Sequence, residues 1–219
     1  MIPLRVLLQR RSAPTVTLLL IIVNALVFFF EMALPMYARD RFFEIYGLVP
    51  DHFHLSMLLT SMFLHGGWLH IIGNMWFLWV FGSHLEDAMG PAKYFVFYII
   101  SGVASALVQV ITSIGSPVPT IGASGAIAGV MGAFLVLYPR VRVVTLVFIV
   151  VFITTFDIPA AFMLLYWFLL QLISGLGSLA SSTQAQGIAW FAHVGGFLAG
   201  ILLVRWFVGN RPRYRGYSF

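Results

Sequence analysis

The chain has no cysteine and few charged residues. With no cysteine among its 219 residues, it cannot form disulfides, use a thiolate in catalysis or bind a metal through thiolates. Only 9% of the residues are charged and 61% are hydrophobic, whereas a soluble domain carries roughly 25% charged residues. This composition predicts a protein that crosses a membrane several times and has little chain left for a separate soluble domain.

Six apolar runs are long enough, or nearly so, to cross a bilayer, which requires about 20 residues. The first run lacks the small-residue cleavage pattern of a signal peptide, so we expect it to stay as a transmembrane helix. The predicted fold class is therefore an all-α polytopic membrane protein with six transmembrane helices. The predicted spans cover residues 15–34, 65–83, 94–113, 124–138, 160–178 and 188–207.

The basic residues lie almost entirely on one side of these spans. All but two of the twelve Lys and Arg residues fall near the chain termini or in the loops after the second and fourth spans, and the exceptions are Arg39 and Arg41. Because cytoplasmic loops are enriched in Lys and Arg, we predict that both termini are cytoplasmic. The chain then divides into a basic N-terminal segment (1–14), a six-helix membrane domain (15–207) and a basic cytoplasmic tail (208–219).

Two further stretches are apolar but do not fit a span. Residues 35–60 form a long outer loop in which aromatic residues alternate with charges and prolines, which is typical of a segment at the membrane interface. Residues 143–155 are short for a span, so they could be re-entrant or interfacial on the cytoplasmic side. A seventh span there would place the C-terminal arginines outside, against the charge distribution.

The fourth span is short and begins at a serine. Glycines and prolines in 115–122 disfavour helix before Ser124, and Pro139 ends the span. Fifteen residues form a helix of about 22 Å, against about 30 Å of hydrocarbon. We therefore expect the helix to begin below the outer surface, with the preceding loop buried in protein or lining a wet recess. Ser124 then lies at a helix N-terminus, which favours a developing anion.

Polar side chains on two other spans are predicted to lie at the depth of Ser124. His193 and His70 each lie about six residues, or about 9 Å, below the outer boundary, and Asn74 shares a helical face with His70. Such groups at membrane depth are costly and usually functional. Ser124 is the candidate nucleophile, His193 the candidate general base, and His70 and Asn74 the candidate oxyanion donors. No carboxylate is expected beside His193, so the sequence predicts a dyad.

Small residues predict direct packing between the fourth and sixth spans. Repeats of small residues at every fourth position let membrane helices approach closely. Their contact would bring Ser124 within hydrogen-bonding distance of His193. The repeats are Ser124, Ala128 and Gly132, then Gly125, Gly129 and Ala133 on the fourth span, and Ala192, Gly196 and Gly200 on the sixth.

Other interpretations of these residues remain open. A membrane serine often only bonds its own helix backbone, His70 and Asn74 could link helices, and His193 could ligate a metal or haem. A transporter or channel could use the same groups, although it would usually show inverted repeats or mid-span carboxylates. A haem or metal protein would be expected to have more closely spaced histidines, and an inactive scaffold to have lost Ser124 or His193.

These motifs together resemble those of the rhomboid family of intramembrane serine proteases. The resemblance covers nearly the whole chain, with the motifs in the family's order. The matching motifs are the nucleophile motif Gly122-Ala123-Ser124-Gly125, the histidine motif Ala192-His193 with its following glycines, the oxyanion pair His70-x-x-x-Asn74, and the turn Glu86-x-x-x-Gly90 after the second span.

The resemblance implies a fold and an activity. It implies a rhomboid-like six-helix bundle that uses a Ser–His dyad, without metal or cofactor, to cleave membrane-anchored proteins in or near their transmembrane segments. The implied partners are transmembrane protein substrates and the lipid bilayer, with no nucleic acid. The expected location is a bacterial cytoplasmic (inner) membrane, with the active site open to the extracytoplasmic side.

The chain departs from some members of the family at two places. Its first outer loop has no tryptophan, whereas some members carry a Trp-Arg pair there. Ala128 stands where some members carry an aromatic residue that packs on the histidine. The resemblance therefore does not identify the residue that holds the His193 ring.

Overall fold

The structure, a computed structural model, describes residues 1–149, 152–180 and 189–208. Residue 188 of the sixth predicted span and residues 209–219 of the predicted tail lie outside the described residues. The helices are α1 (Thr15–Ala33), α2 (Met36–Tyr46), α3 (Met57–Thr60), α4 (Trp68–Phe77), α5 (Ser83–Met89), α6 (Pro91–Thr112), α7 (Ser124–Leu137), α8 (Ala160–Ala180) and α9 (Trp190–Phe207); the strands are β1 (Ile2–Val6), β2 (Arg142–Ile149) and β3 (Phe152–Pro159).

The protein is mostly helical and spans a membrane. Within the described residues, four helices are long and apolar enough to cross one: α1, α6, α8 and α9. The second predicted span is a continuous helical run from Trp68 to Met89, in which a π-helical turn (Leu78–Gly82) joins α4 to α5. It begins three residues later than predicted because Gly66 and Gly67 precede the helix in non-helical conformation.

The prediction of an all-α fold is wrong, because the three strands form one antiparallel sheet in the order β1-β2-β3. Val143 of β2 pairs with Val6 on one side and with Ile158 on the other. Within the stretch 143–155, residues 143–149 and 152–155 are strand, and the N-terminal segment contributes a third strand. β-Branched residues favour strands, but a short apolar run alone does not distinguish a strand from a helix.

The short helix α7 forms the centre of the protein. Every residue from Gly125 to Phe134 is buried, and the helix packs chiefly against α9 and α6. A Cβ atom at Gly196 would overlap the carbonyl oxygen of Gly125, and one at Gly200 would overlap that of Gly129. The close approach predicted for the fourth and sixth spans is thus present between α7 and α9. It is possible because glycine has no side chain at these contact positions.

The Glu86 carboxylate anchors the beginning of α1. It accepts hydrogen bonds from the backbone N–H groups of Val16 and Thr17, both at 2.8 Å, and from the hydroxyls of Thr15 and Thr17. A helix N-terminus has unpaired N–H groups and a positive dipole end, both of which favour a carboxylate. Glu86, in α5, therefore fixes the beginning of α1 against the rest of the bundle.

Candidate active site

The side chains of Ser124 and His193 are joined by a hydrogen bond. Ser124 is the first residue of α7, and His193 lies in the first turn of α9. The distance from Ser124 Oγ to His193 Nε2 is 2.7 Å, which is within the range in which a base can take a hydroxyl proton. Both side chains are half-buried. The close packing of α7 and α9 therefore joins two residues that are 69 positions apart in sequence.

His70 and Asn74 lie beside the loop that leads into Ser124. Gly122 has a φ of +122°, and a Cβ atom there would lie 2.7 Å from His70 Nε2 and 3.7 Å from Asn74 Nδ2. Both side chains of α4 thus face the backbone two residues before Ser124, and glycine leaves room for them. Asn74 is buried, and its Nδ2 has no hydrogen-bond partner among the described residues. That amide group is free to donate to another acceptor.

Residues of the long outer loop hold the 115–122 loop in place. Leu48 and Thr120 exchange two backbone hydrogen bonds of 2.9 Å, and the N–H of Gly122 donates to the carbonyl of Ser61 at 2.9 Å. Non-helical backbone at membrane depth requires such partners. The loop is not buried in protein along its length: Gly115, Pro117 and Val118 are exposed. Thr120, Ile121 and Gly122, next to α7, are partly buried and line a cleft beside Ser124.

Two residues of α8 contact the His193 ring, and the sequence analysis did not identify either. Gln171 Oε1 lies 2.7 Å from His193 Nδ1, and the ring centroid of Trp167 lies 5.8 Å from that of His193. Trp190 adds an edge contact with the ring at 6.5 Å. The imidazole is therefore contacted by two tryptophan rings and one amide.

Polar residues of α6 fix the first turn of α9. Ser105 Oγ donates to the carbonyl of Ala192 at 2.7 Å, and Gln109 Oε1 accepts from the N–H of Ala192 at 3.2 Å. Ala192 immediately precedes His193, so both bonds restrain the backbone that carries the imidazole. Ser105 and Gln109 are four residues apart in an apolar span, so the sequence already indicated that they share one face of the helix.

A family model described as Rhomboid domain matches residues 52–210 of this chain. The chain belongs to the rhomboid family. The match includes all four residues predicted for the site, Ser124, His193, His70 and Asn74. Among the described residues, no three His, Cys, Asp or Glu side chains are grouped in a way that could hold a metal ion.

Known rhomboid proteins from organelles are similar to this chain. Rhomboid protein 1, mitochondrial, of Saccharomyces cerevisiae is 27% identical over 181 residues, which are 78% of this chain and 47% of the yeast protein. Rhomboid-like protein 11, chloroplastic, of Arabidopsis thaliana is 24% identical over 198 residues, 86% of this chain and 67% of that protein. The human presenilin-associated rhomboid-like protein, mitochondrial, is 29% identical over 158 residues, 70% of this chain and 37% of that protein.

The comparisons limit two conclusions. The chain spans about half the length of the yeast relative and less of the human one. The names of these relatives refer to mitochondria and chloroplasts, so they do not support the prediction of a bacterial inner membrane. What they do support is a multi-pass membrane protein of the rhomboid family.

A buried carboxylate, that of Glu31, supports the segment that precedes α4. Glu31, in the last turn of α1, is fully buried and accepts the backbone N–H of His65 at 3.2 Å. The ring of His65 is also buried and lies 5.1 Å from the ring of His70, measured between centroids. Glu31 thus supports the segment before α4, whereas the imidazole of His193 is bonded by an amide.

A small cleft lies beside Ser124. Small and hydroxyl-bearing side chains form much of its lining. The lining includes Ser61, Gly102, Ser105, Gly125 and Ala192.

Proposed function

We propose that this chain is an intramembrane serine endopeptidase. It hydrolyses peptide bonds in or near the transmembrane segments of membrane-anchored proteins, with Ser124 as nucleophile and His193 as general base. The observation that carries the proposal is the 2.7 Å contact between Ser124 Oγ and His193 Nε2 in a membrane-spanning chain. Membership of the rhomboid family, whose members include intramembrane serine proteases, supports it.

The proposed reaction passes through an acyl-enzyme. Ser124 Oγ forms a bond to the peptide carbonyl carbon while its proton moves to His193 Nε2. When the tetrahedral intermediate collapses, the C–N bond breaks and the same proton passes to the leaving amine. Water, deprotonated by His193, then hydrolyses the Ser124 ester and regenerates the hydroxyl. No protein group other than these two side chains needs to exchange a proton.

His70 and Asn74 are proposed to stabilise the oxyanion. Both face the loop just before Ser124, and Asn74 Nδ2 has no other partner among the described residues. The N–H of Ser124, at the N-terminus of α7, is a third available donor. Donors aimed in advance at a developing negative charge usually provide the largest part of such catalysis.

The proposed topology has six spans, with both termini in the cytoplasm. The membrane domain covers 15–207, between a basic N-terminal segment (1–14) and a basic tail (208–219). The Lys and Arg distribution supports this orientation. Because Ser124 lies at the end of α7 opposite Arg140 and Arg142, the site opens to the extracytoplasmic side. The proposed partners are transmembrane protein substrates and the surrounding lipid.

Labelling with a fluorophosphonate tests the nucleophile directly. This reagent forms a covalent bond to a serine whose proton is removed by a neighbouring base. We expect the purified wild-type protein to be labelled at Ser124 and the Ser124→Ala variant to be unlabelled, as measured by in-gel fluorescence and peptide mass spectrometry. Metal chelators should leave the labelling unchanged. Absence of labelling in folded wild-type protein, or equal labelling of both proteins, would contradict the proposal.

The Asn74→Ala variant distinguishes two possible roles of Asn74, as a donor to the oxyanion or as a link between helices. If Asn74 donates only in the transition state, kcat should fall about 10²–10³-fold with little change in KM. A purely structural role predicts a lower melting temperature instead, with an unchanged kcat in the folded fraction. Both quantities should be measured on the same preparation, with kcat normalised to the folded fraction.

A further inference from the structure

One face of α8 is directed at the histidine of the proposed dyad. Trp167, Gln171 and Gly175 are spaced four residues apart, so they lie on the same side of the helix. Trp167 contacts the imidazole, and Gln171 Oε1 lies 2.7 Å from its Nδ1. Gln171 is only 8% exposed in an apolar helix. A buried polar side chain in such a helix is costly, which indicates that its amide has a role.

Gly175 allows this face of α8 to reach the beginning of α9. A Cβ atom at Gly175 would lie 3.3 Å from the Cβ of Trp190 and 3.3 Å from the Phe191 ring, so a larger side chain would push the helices apart. The two helices therefore meet within one helical turn of Gln171. The glutamine is held close to His193 by packing and is not a long side chain extended across a gap.

We propose that Gln171 is a positioning residue that selects the tautomer of His193 needed for catalysis. The inference rests on the proposed function, because it assigns Gln171 a role in the Ser124–His193 reaction. An amide oxygen can only accept a hydrogen bond, so Nδ1 of His193 carries the ring proton when it is bonded to Gln171 Oε1. Nε2 is then left with a lone pair directed at the Ser124 hydroxyl.

The amide acts differently from the carboxylate of a Ser-His-Asp triad. In such triads the third side chain orients the histidine and stabilises the imidazolium that forms during reaction. Gln171 provides the orientation and an accepting dipole, but no negative charge. The Nδ1 proton stays on the ring throughout, while the proton of Ser124 moves to Nε2 and then to the leaving amine. In this chain the proposed Ser124–His193 dyad is therefore supported by a neutral amide, that of Gln171.

The test uses two substitutions at Gln171 and one control on the same helix. Gln171→Met keeps the length of the side chain but removes the acceptor, whereas Gln171→Glu keeps an acceptor. Ile173→Leu changes a residue of α8 that is 57% exposed and points away from the site. Each protein is assayed for cleavage of a transmembrane model substrate, with kcat normalised to the folded fraction measured by thermal unfolding. Solid-state ¹⁵N NMR of histidine-labelled protein in lipid reports the His193 tautomer.

We expect Gln171→Met to lower kcat about 10- to 100-fold, the range for leaving the buried Nδ1–H of His193 without an acceptor, with little change in KM. Its NMR spectrum should lose the pure Nδ1–H signal of His193 that the wild type shows. Gln171→Glu should keep that signal and recover most of kcat, and Ile173→Leu should match the wild type. The His193 signal is assigned by its absence in His193→Ala.

The outcomes distinguish this role from the proposed function. If Ser124→Ala is inactive but Gln171→Met keeps the wild-type kcat and tautomer, the role of Gln171 is overturned and the protease proposal stands. Turnover by Ser124→Ala would overturn both. A fall in thermal stability with kcat and tautomer unchanged would show that Gln171 only joins α8 to α9. If Gln171→Met does not fold, Gln171→Glu decides, since loss of the Nδ1–H signal there contradicts the role.

Discussion

Replacing Ser124 with alanine is expected to abolish cleavage of a transmembrane model substrate while the protein stays folded. Removal of the nucleophile of a serine protease lowers kcat about 10⁶-fold, because the nucleophile and base act as a unit. His193→Ala should have a similar effect, since Nε2 is the acceptor for the Ser124 proton. The double variant should be no worse than either single one. Substrate cleavage in detergent or liposomes, followed by gel analysis, measures this.

Ser56→Ala is the matched control for this experiment. Ser56 is an exposed serine of the outer loop whose side chain makes no capping hydrogen bond, so its loss should leave cleavage at the wild-type rate. Thermal unfolding of each variant verifies that the fold is intact. Cleavage by a cleanly purified Ser124→Ala protein at a measurable fraction of the wild-type rate would remove the basis of the proposed function.

Replacing Gly196 with leucine is expected to lower the cleavage rate at least about 100-fold. A side chain at this position would collide with the backbone carbonyl of Gly125, which cannot rotate away as a side chain can. Spans α7 and α9 would have to separate, and a displacement of about 1 Å at reacting atoms can reduce the rate by about 10². The separation would lengthen the bond between Ser124 and His193. Cleavage and fluorophosphonate labelling should fall together.

Gly177→Leu is the control for this second experiment. A Cβ atom at Gly177 has no neighbour within 4 Å, so the same substitution adds apolar surface there without a collision. Gly195 is less suitable, because a Cβ atom there would lie 2.7 Å from the side chain of Val108. If Gly196→Leu cleaved at the wild-type rate, contact between α7 and α9 would not be what holds Ser124 and His193 together.

Much of the helical part of the fold follows from local patterns in the sequence. The length of each apolar run predicts α1, α6, α8 and α9 within a few residues, because a bilayer demands about 20 apolar residues per span. The start of α7 at Ser124 follows from the glycines and prolines before it. Small residues at every fourth position predict which two helices meet. Each of these signals is contained in a single segment.

The sheet and the contact of Gln171 with His193 could not be predicted from single segments of the sequence. Strand β2 lies between β1 and β3, and its pairing with β1 joins Val143 to Val6 across most of the chain length. Nothing in residues 1–14 alone indicates a strand without knowledge of that partner. Similarly, Gln171 is one polar residue in an apolar run, and its relation to His193 arises only when α8 packs against α9.

The sequence by itself determined that this is a membrane protein built largely of apolar helices, and it predicted which polar residues would share the depth of Ser124. These properties depend on hydrophobicity and spacing along one segment, and the bilayer acts on each segment separately. Only the tertiary structure decided that Ser124 and His193 are 2.7 Å apart, and that Gln171 is bonded to the other side of the imidazole. Such distances depend on how α7, α8 and α9 pack, and packing is a property of several segments at once.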